Sequence, residues 1–368
     1  MKDYYSNLDE KIKKYFRILE PEFPEWLNEY INTKELLSQK YISVTCGTIY
    51  SKLFESDFFF SSLDHSVAVA LIIWHFTHDK KQTLSGLLHD IATPVFKHSI
   101  DFLNGDYMKQ ESTEGLTTKI IEKSKQITEL LRKDKIDISE VDNYHIYSIA
   151  DNETPKLCAD RLEYSLSNAL FIYNVLDVKG IKEIYDDIEI QKNEESVKEL
   201  GFRTKEMAIK FVKLTSYLSI MYRQHKTRYS MQFLADVLRC LEKENKISKN
   251  DLYTKKEKDI VCISLNAWQF EGYEDAKVAI MESLLKSLQS NETFFEKAGE
   301  KIKSLLSRID FLKLGKNILF KGVPYVVTAL TGNPIPIAVN LSAELSNPDD
   351  IISKLETFKN DYIKAAGD

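Results

Sequence analysis

The chain has 368 residues, 43% apolar and 29% charged, which is enough to bury one large core or two medium ones and too apolar to remain unfolded. Its 50 basic and 56 acidic residues give a net charge of −6, which argues against a protein that coats nucleic acid. Only 12 glycines and 8 prolines disfavour turn-rich β sandwiches and barrels, so the composition points to a mainly α protein.

The first 62 residues read as short helices broken at Pro21 and Pro24, followed by YISVTCGTIYSKLF. From Asp64 the text HSVAVALIIWHF is apolar nearly all round, as a central buried helix requires. TLSGLLHDIATPVF reads as a second apolar helix that Pro94 stops after Thr93. TEGLTTKIIEKSKQITELLRK is amphipathic at helical spacing. KLCADRLEYSLSNALFIYNVL sets Ala159, Leu162, Leu166, Ala169, Leu170 and Tyr173 on one stripe, and two further helices are expected over 204–223 and 230–244.

After the charged run KKEKD the character changes, which places a boundary near residue 260. IVCISL reads as a short buried strand, and the remainder as a mostly helical, lysine-rich appendage over 260–368. The apolar stretch 323–341 is interrupted by Thr331-Gly332-Asn333-Pro334, which would break a membrane-spanning helix. The charged start MKDYYSNLDEKIKKYF lacks a signal-peptide core. Cys46, Cys158, Cys240 and Cys262 form no C-x-x-C pair, so the expectation is a cytoplasmic chain without disulfides, thiolate zinc or a membrane span.

Four polar residues stand inside runs that should be buried: His65, His89-Asp90 and Asp160, with His98 close behind in PVFKH. Ionised carboxylates in a core cost several kcal/mol unless paired or bound to a metal. Two imidazoles and two carboxylates from three helices would bind one divalent cation and leave positions open for water and substrate. Such a mixed N/O set suits Mn, Fe, Co, Ni or Mg. The competing reading has Asp90 capping a helix, Asp160 paired with Arg161 and both histidines hydrogen-bonded in the core. His75 and His78 fall at the exposed end of the first helix, and His145 and His225 in polar surroundings.

The blocks LDHSVAVA, LLHDIATPVFKH and ADRLEYSL, in the order H…HD…D, resemble the HD-domain metal-dependent phosphohydrolases, most nearly the deoxynucleotide triphosphohydrolase-like branch. The resemblance covers roughly residues 40 to 255 and implies that residues 1–259 form an HD-domain helical bundle. It implies His65, His89, Asp90 and Asp160 as ligands of one divalent metal ion, and His98 and Glu114 as catalytic groups. Arg161 and Tyr164 would contact substrate phosphate. The implied activity is hydrolysis of a phosphoester, foremost a nucleotide, and self-association is common among such relatives. Two positions depart from the pattern: Thr113 precedes Glu114 where a histidine is usual, and Ser62 replaces an arginine ahead of His65. These departures leave phosphoester hydrolysis as the expectation without specifying a deoxynucleoside triphosphate, and a catalytically impaired nucleotide- or phosphate-binding sensor is the alternative.

In the tail, ISLNAWQFEGYEDAKVAIMESLL resembles the segment after the Walker A helix of KAP-type P-loop NTPases. No G-x-x-x-x-G-K-[ST] occurs in the chain, and Gly315-Lys316-Asn317 lacks both the upstream glycine and the hydroxyl residue. Without a phosphate-cradling loop the appendage is expected to be non-catalytic, a docking module for a partner at most.

Overall fold

A computed structural model describes residues 4–48, 58–108, 114–254 and 256–257, all within the first of the two units into which the chain divides, Met1–Ile260. The boundary near residue 260, the strand over IVCISL, the 323–341 stretch and the NTPase-like segment lie outside the described residues. So does Thr113, and of Glu114 only the backbone is described, opening a 3-10 turn over Glu114–Leu116.

The fold is mainly α. The N-terminal helices are α1 (Glu10–Leu19), α2 (Leu27–Ile31) and α3 (Lys34–Ser38), with Pro21 and Pro24 in the turns between the first two. The central helix is α4 (Ser62–Thr77), and every residue from Ser62 to Ile73 is buried, as its all-round apolarity requires. It starts where it does because of a reciprocal cap. The Ser61 hydroxyl accepts from the Asp64 amide at 3.1 Å, and the Asp64 carboxylate accepts from the Ser61 amide at 3.0 Å. Tyr4, from the N-terminal segment, donates to the other Asp64 oxygen at 2.5 Å and pins this start into the core.

His78 in the left-handed region ends α4, and Asp79 caps α5 (Lys80–Leu88) at once, so the two helices return against each other. Gly86 is the close-approach point: a Cβ there would lie 2.3 Å from the Ile73 Cδ1 and 3.2 Å from the Val69 Cγ1. The sequence implied that this helix runs to Thr93, but it stops at Leu88, with His89 and Asp90 in the following turn. Pro94 has no amide to give and would crowd the carbonyl four residues back, so the backbone leaves the helix before reaching it.

Next come α6 (His98–Asn104), α7 (Thr117–Lys123) and α8 (Lys125–Asp134). The single amphipathic helix expected over the last two is broken at Ser124, whose hydroxyl accepts from the Ile127 amide and restarts the helix as a new N-cap. Then α9 (Ala159–Ser167), capped by Cys158, continues into a π turn over Asn168–Ile172. Ala159, Leu162, Leu166, Ala169 and Leu170 are buried, as their stripe implied. Following α10 (Val178–Asp186), strands β1 (Ile188–Lys192) and β2 (Lys198–Phe202) form an antiparallel hairpin, with Ile188 opposite Phe202 and Ile190 opposite Leu200. The hairpin was not expected from the sequence. The chain continues with α11 (Lys205–Arg223), α12 (His225–Lys243) and α13 (Asp251–Thr254). Among the described residues no helix is long and apolar enough to cross a membrane.

Helices α5 and α9 both pack on α4 and, together with α1 and α10, contribute to the main core. Filling the α4–α5 approach should be costly: Gly86→Val is expected to lower stability by about 1–3 kcal/mol in denaturant unfolding. Gly115→Ala, whose added methyl meets nothing within 4 Å, is expected to leave the midpoint nearly unchanged.

Candidate metal centre

Three helical elements converge at their ends on one point. The cap at Ser61 sets His65 in the first turn of α4, the turn after α5 presents His89 and Asp90, and the first turn of α9 presents Asp160. The start of α9 is held by hydrogen bonds from the Ala159 amide to the Ile149 carbonyl at 2.8 Å and from the Asp160 amide to the Ala150 carbonyl at 3.3 Å.

Both imidazoles are fixed from behind. His65 Nδ1 bonds to Glu163, which is fully buried, and His89 Nδ1 lies 2.7 Å from the Gly86 carbonyl. Each ring therefore directs its Nε2 toward the carboxylates. His65 Nε2 is 3.2 Å and His89 Nε2 3.8 Å from Asp160 Oδ1. One donor atom each from His65, His89 and Asp160 lie within 4.8 Å of one another, a group that can hold a metal ion. A buried partner on the far nitrogen of a ligand histidine is what orients metal-binding imidazoles in general. The donor chemistry thus fits a divalent cation.

Asp90 stands beside this group, 3.7 Å from His89 Nε2 through Oδ1 and 3.9 Å from His65 Nε2 through Oδ2. It is not one of the three clustered donors, and its Oδ2 accepts from the Lys97 ammonium at 2.7 Å. The imidazole side chains are 8% and 4% exposed and the two aspartates 24% and 20%, so the donors are walled in by the rings and open on the carboxylate side.

The electrostatics follow from this crowding. Burial alone would hold His65 neutral, but Glu163 and Asp160 outweigh it and raise its pKa to about 10. Burial pushes the Asp90 carboxyl up, yet Lys97 and then the two rings bring it well below the carboxylate range. Burial pushes Asp160 up as well, but the His65 hydrogen bond and both rings bring it below its ordinary value. In the absence of a cation, a proton on His65 Nε2 bridges to Asp160 where a metal would sit.

The remaining expected residues are arranged differently. His98 opens α6, its side chain 45% exposed rather than buried, with Nδ1 3.0 Å from Asp101 Oδ2. Arg161 does not pair with Asp160: its fork is spent on the Lys156 carbonyl at 2.8 Å, on Asn152, and on Asp151 at 3.2 Å. It braces the loop that leads into α9. The Tyr164 hydroxyl, one turn beyond Asp160, makes no hydrogen bond among the described residues, and burial, reinforced by the Asp160 charge, pushes its pKa up to about 12. His145 is exposed and paired with Asp151 at 2.6 Å. Ser62 is buried, and its hydroxyl has no hydrogen-bond partner among the described residues.

Sequence reasoning missed three contributors. Glu163 is the acid that aims His65, and Tyr15 of α1 donates to it at 3.2 Å. A carboxylate three residues after Asp160, set between Leu162 and Tyr164, was the available signal. Lys97 was hidden in a loop, and Tyr144, whose ring lies 4.9 Å from that of His89, comes from an unremarkable turn.

No family model matches the chain. An uncharacterized protein of Bacillus subtilis, YdhJ, is 23% identical over 129 residues, which cover 35% of this chain and 39% of that protein. The chain therefore spans about two fifths of the length of that relative, the 39% just given. Among solved structures, a hypothetical protein from Aquifex aeolicus is similar at a TM-score of 0.46 and 14% identity, over 77% of this chain and 78% of that one. Neither has an activity in its description, so function is argued from this chain's own geometry.

Two outcomes are expected. Glu163→Ala strips the buried His65 and Tyr15 of their shared partner and should cost about 3–5 kcal/mol in denaturant unfolding. Because His65 holds its proton up to about pH 10, cation binding at pH 7 should release about one proton, and affinity should rise roughly tenfold per pH unit until that value. Calorimetry in buffers of different protonation enthalpy reads the proton directly; cation binding without proton release would contradict the geometry.

Proposed function

We propose that the chain is a divalent-metal-dependent phosphohydrolase of the HD type that cleaves a small phosphorylated substrate, a nucleotide foremost. The observation that carries the reading is the His65, His89 and Asp160 donor group, with Asp90 at its edge, drawn from the blocks that resemble that family in their order. A divalent cation in such a set supplies polarisation of a phosphoryl oxygen and acidification of a coordinated water.

The chain's own residues have the following roles in this reading. Glu163 and the Gly86 carbonyl hold the two rings by Nδ1 so that Nε2 serves as the donor. Tyr164 offers a protonated, unengaged hydroxyl one helical turn from Asp160, suited to a phosphate oxygen. His98 moves the proton at Nε2. Its Nδ1 is held by Asp101, whose side chain is 1% exposed, a pairing that fixes the tautomer of a general base or acid. Glu114 retains the role that the resemblance gives it.

One observation favours the sensor alternative. Every nitrogen of Arg161 is occupied within the loop, which removes a fork that would otherwise stabilise a transferring phosphoryl group.

Purified full-length protein is expected to contain divalent metal and to turn over at least one member of a panel of nucleotides and phosphomonoesters. Asp160→Ala should remove the metal and cut turnover by more than the ~10–100-fold usual for an outer-shell partner. Thermal stabilisation by a nucleotide without turnover would support the sensor instead. A native chain that neither binds a cation nor cleaves any of the panel would end both readings.

A further inference from the structure

Lys97 has no role among the expected ligand and catalytic residues, yet it pairs with Asp90 at the edge of the donor group. Its ammonium is 2.7 Å from Asp90 Oδ2 and its side chain only 10% exposed. Reaching that position takes an unusual backbone: Phe96 has φ 66° and Lys97 φ 40°, consecutive non-glycine residues in the left-handed half of the map. The loop is held there by the Val95 amide on the Leu252 carbonyl at 2.8 Å and the Phe96 amide on the buried Glu257 carboxylate at 3.1 Å. Such a brace fixes the position of the ammonium.

The charge count shows what it is for. With both imidazoles neutral, Asp90, Asp160 and Glu163 bring three formal negative charges to the cluster, and Lys97 returns one. What remains matches one divalent ion. A second ion would have to share Asp90 through Oδ2, the oxygen that Lys97 holds, leaving only Oδ1 for the donor group. The ammonium carries three N–H bonds and among the described residues hydrogen-bonds Asp90 alone, which leaves two for an anion.

We propose that Lys97 is a built-in second cation: it takes the place of a second metal ion on Asp90, restricts the centre to one divalent ion, and lends its charge to a bound phosphate oxygen. The proposal rests on the phosphohydrolase reading above and adds the residue that sets its metal number and helps to bind its anion.

The test is calorimetric, on the full chain, with Mn²⁺ titrated first and inorganic phosphate then titrated into the loaded protein. Native protein should take up one ion. Lys97→Met should bind that ion about 10-fold more tightly or better, because a neighbouring positive charge is gone, and should bind phosphate about 10-fold more weakly. Lys97→Arg should stay close to native in both. If circular dichroism shows Lys97→Met unfolded, Lys97→Gln is read by the same criteria. A native stoichiometry of two, or a folded neutral variant whose first ion binds no more tightly or whose phosphate affinity is unchanged, overturns the proposal. A native chain that takes up no ion at all instead removes the phosphohydrolase reading on which it rests.

Discussion

Negative charge walled in by imidazoles governs this fold. Asp90, Asp160 and Glu163 meet His65 and His89 where the ends of α4, α5 and α9 come together, and only a proton or a cation relieves their repulsion. Much of the surrounding architecture serves that point. The reciprocal cap at Ser61 and Asp64, buttressed by Tyr4, fixes the turn of α4 that carries His65. Tyr15 reaches from α1 to hold Glu163, so the N-terminal helix contributes to the aim of a ring fifty residues away in the chain. The core packs against the far side of the same helices, and burial is what makes each of these polar contacts matter.

The parts of this arrangement that were legible in the sequence are those that break a pattern. His65 at the head of an all-apolar helix, and Asp160 in an apolar stripe, stand out because a buried charge needs a reason. The helices over 62–77, 159–167 and 205–223 were legible from their apolar runs and stripes, whereas the caps at Ser61, Cys158 and Thr204 that start them came from the structure. What was not legible depends on tertiary partners. Lys97 reads as one more lysine in a loop, and nothing local says that its ammonium turns inward to Asp90. Arg161 reads as a phosphate fork, yet the carbonyls it meets belong to the loop ahead of its own helix. The β hairpin was hidden because its exposed faces are polar and only Ile188 and Leu200 in its strands are buried.

Helix boundaries near the site show the same division. Pro94 was visible as a breaker, but the helix yields six residues before it, at Leu88, and that early exit is what frees the His89 ring to fold back on the Gly86 carbonyl. A helix continuing through Asp90 would have carried the dipeptide along the cylinder instead of turning both side chains toward His65. Function here depends on where regular structure stops, which periodicity locates least well.

The most direct measurement is anomalous diffraction at the manganese edge from crystals grown with Mn²⁺. A single peak is expected within coordination distance of the Nε2 atoms of both rings and of an oxygen of Asp160, with His65 Nδ1 still on Glu163. Diffraction showing no peak there, with the His65 Nε2 still bonded to Asp160, would contradict it.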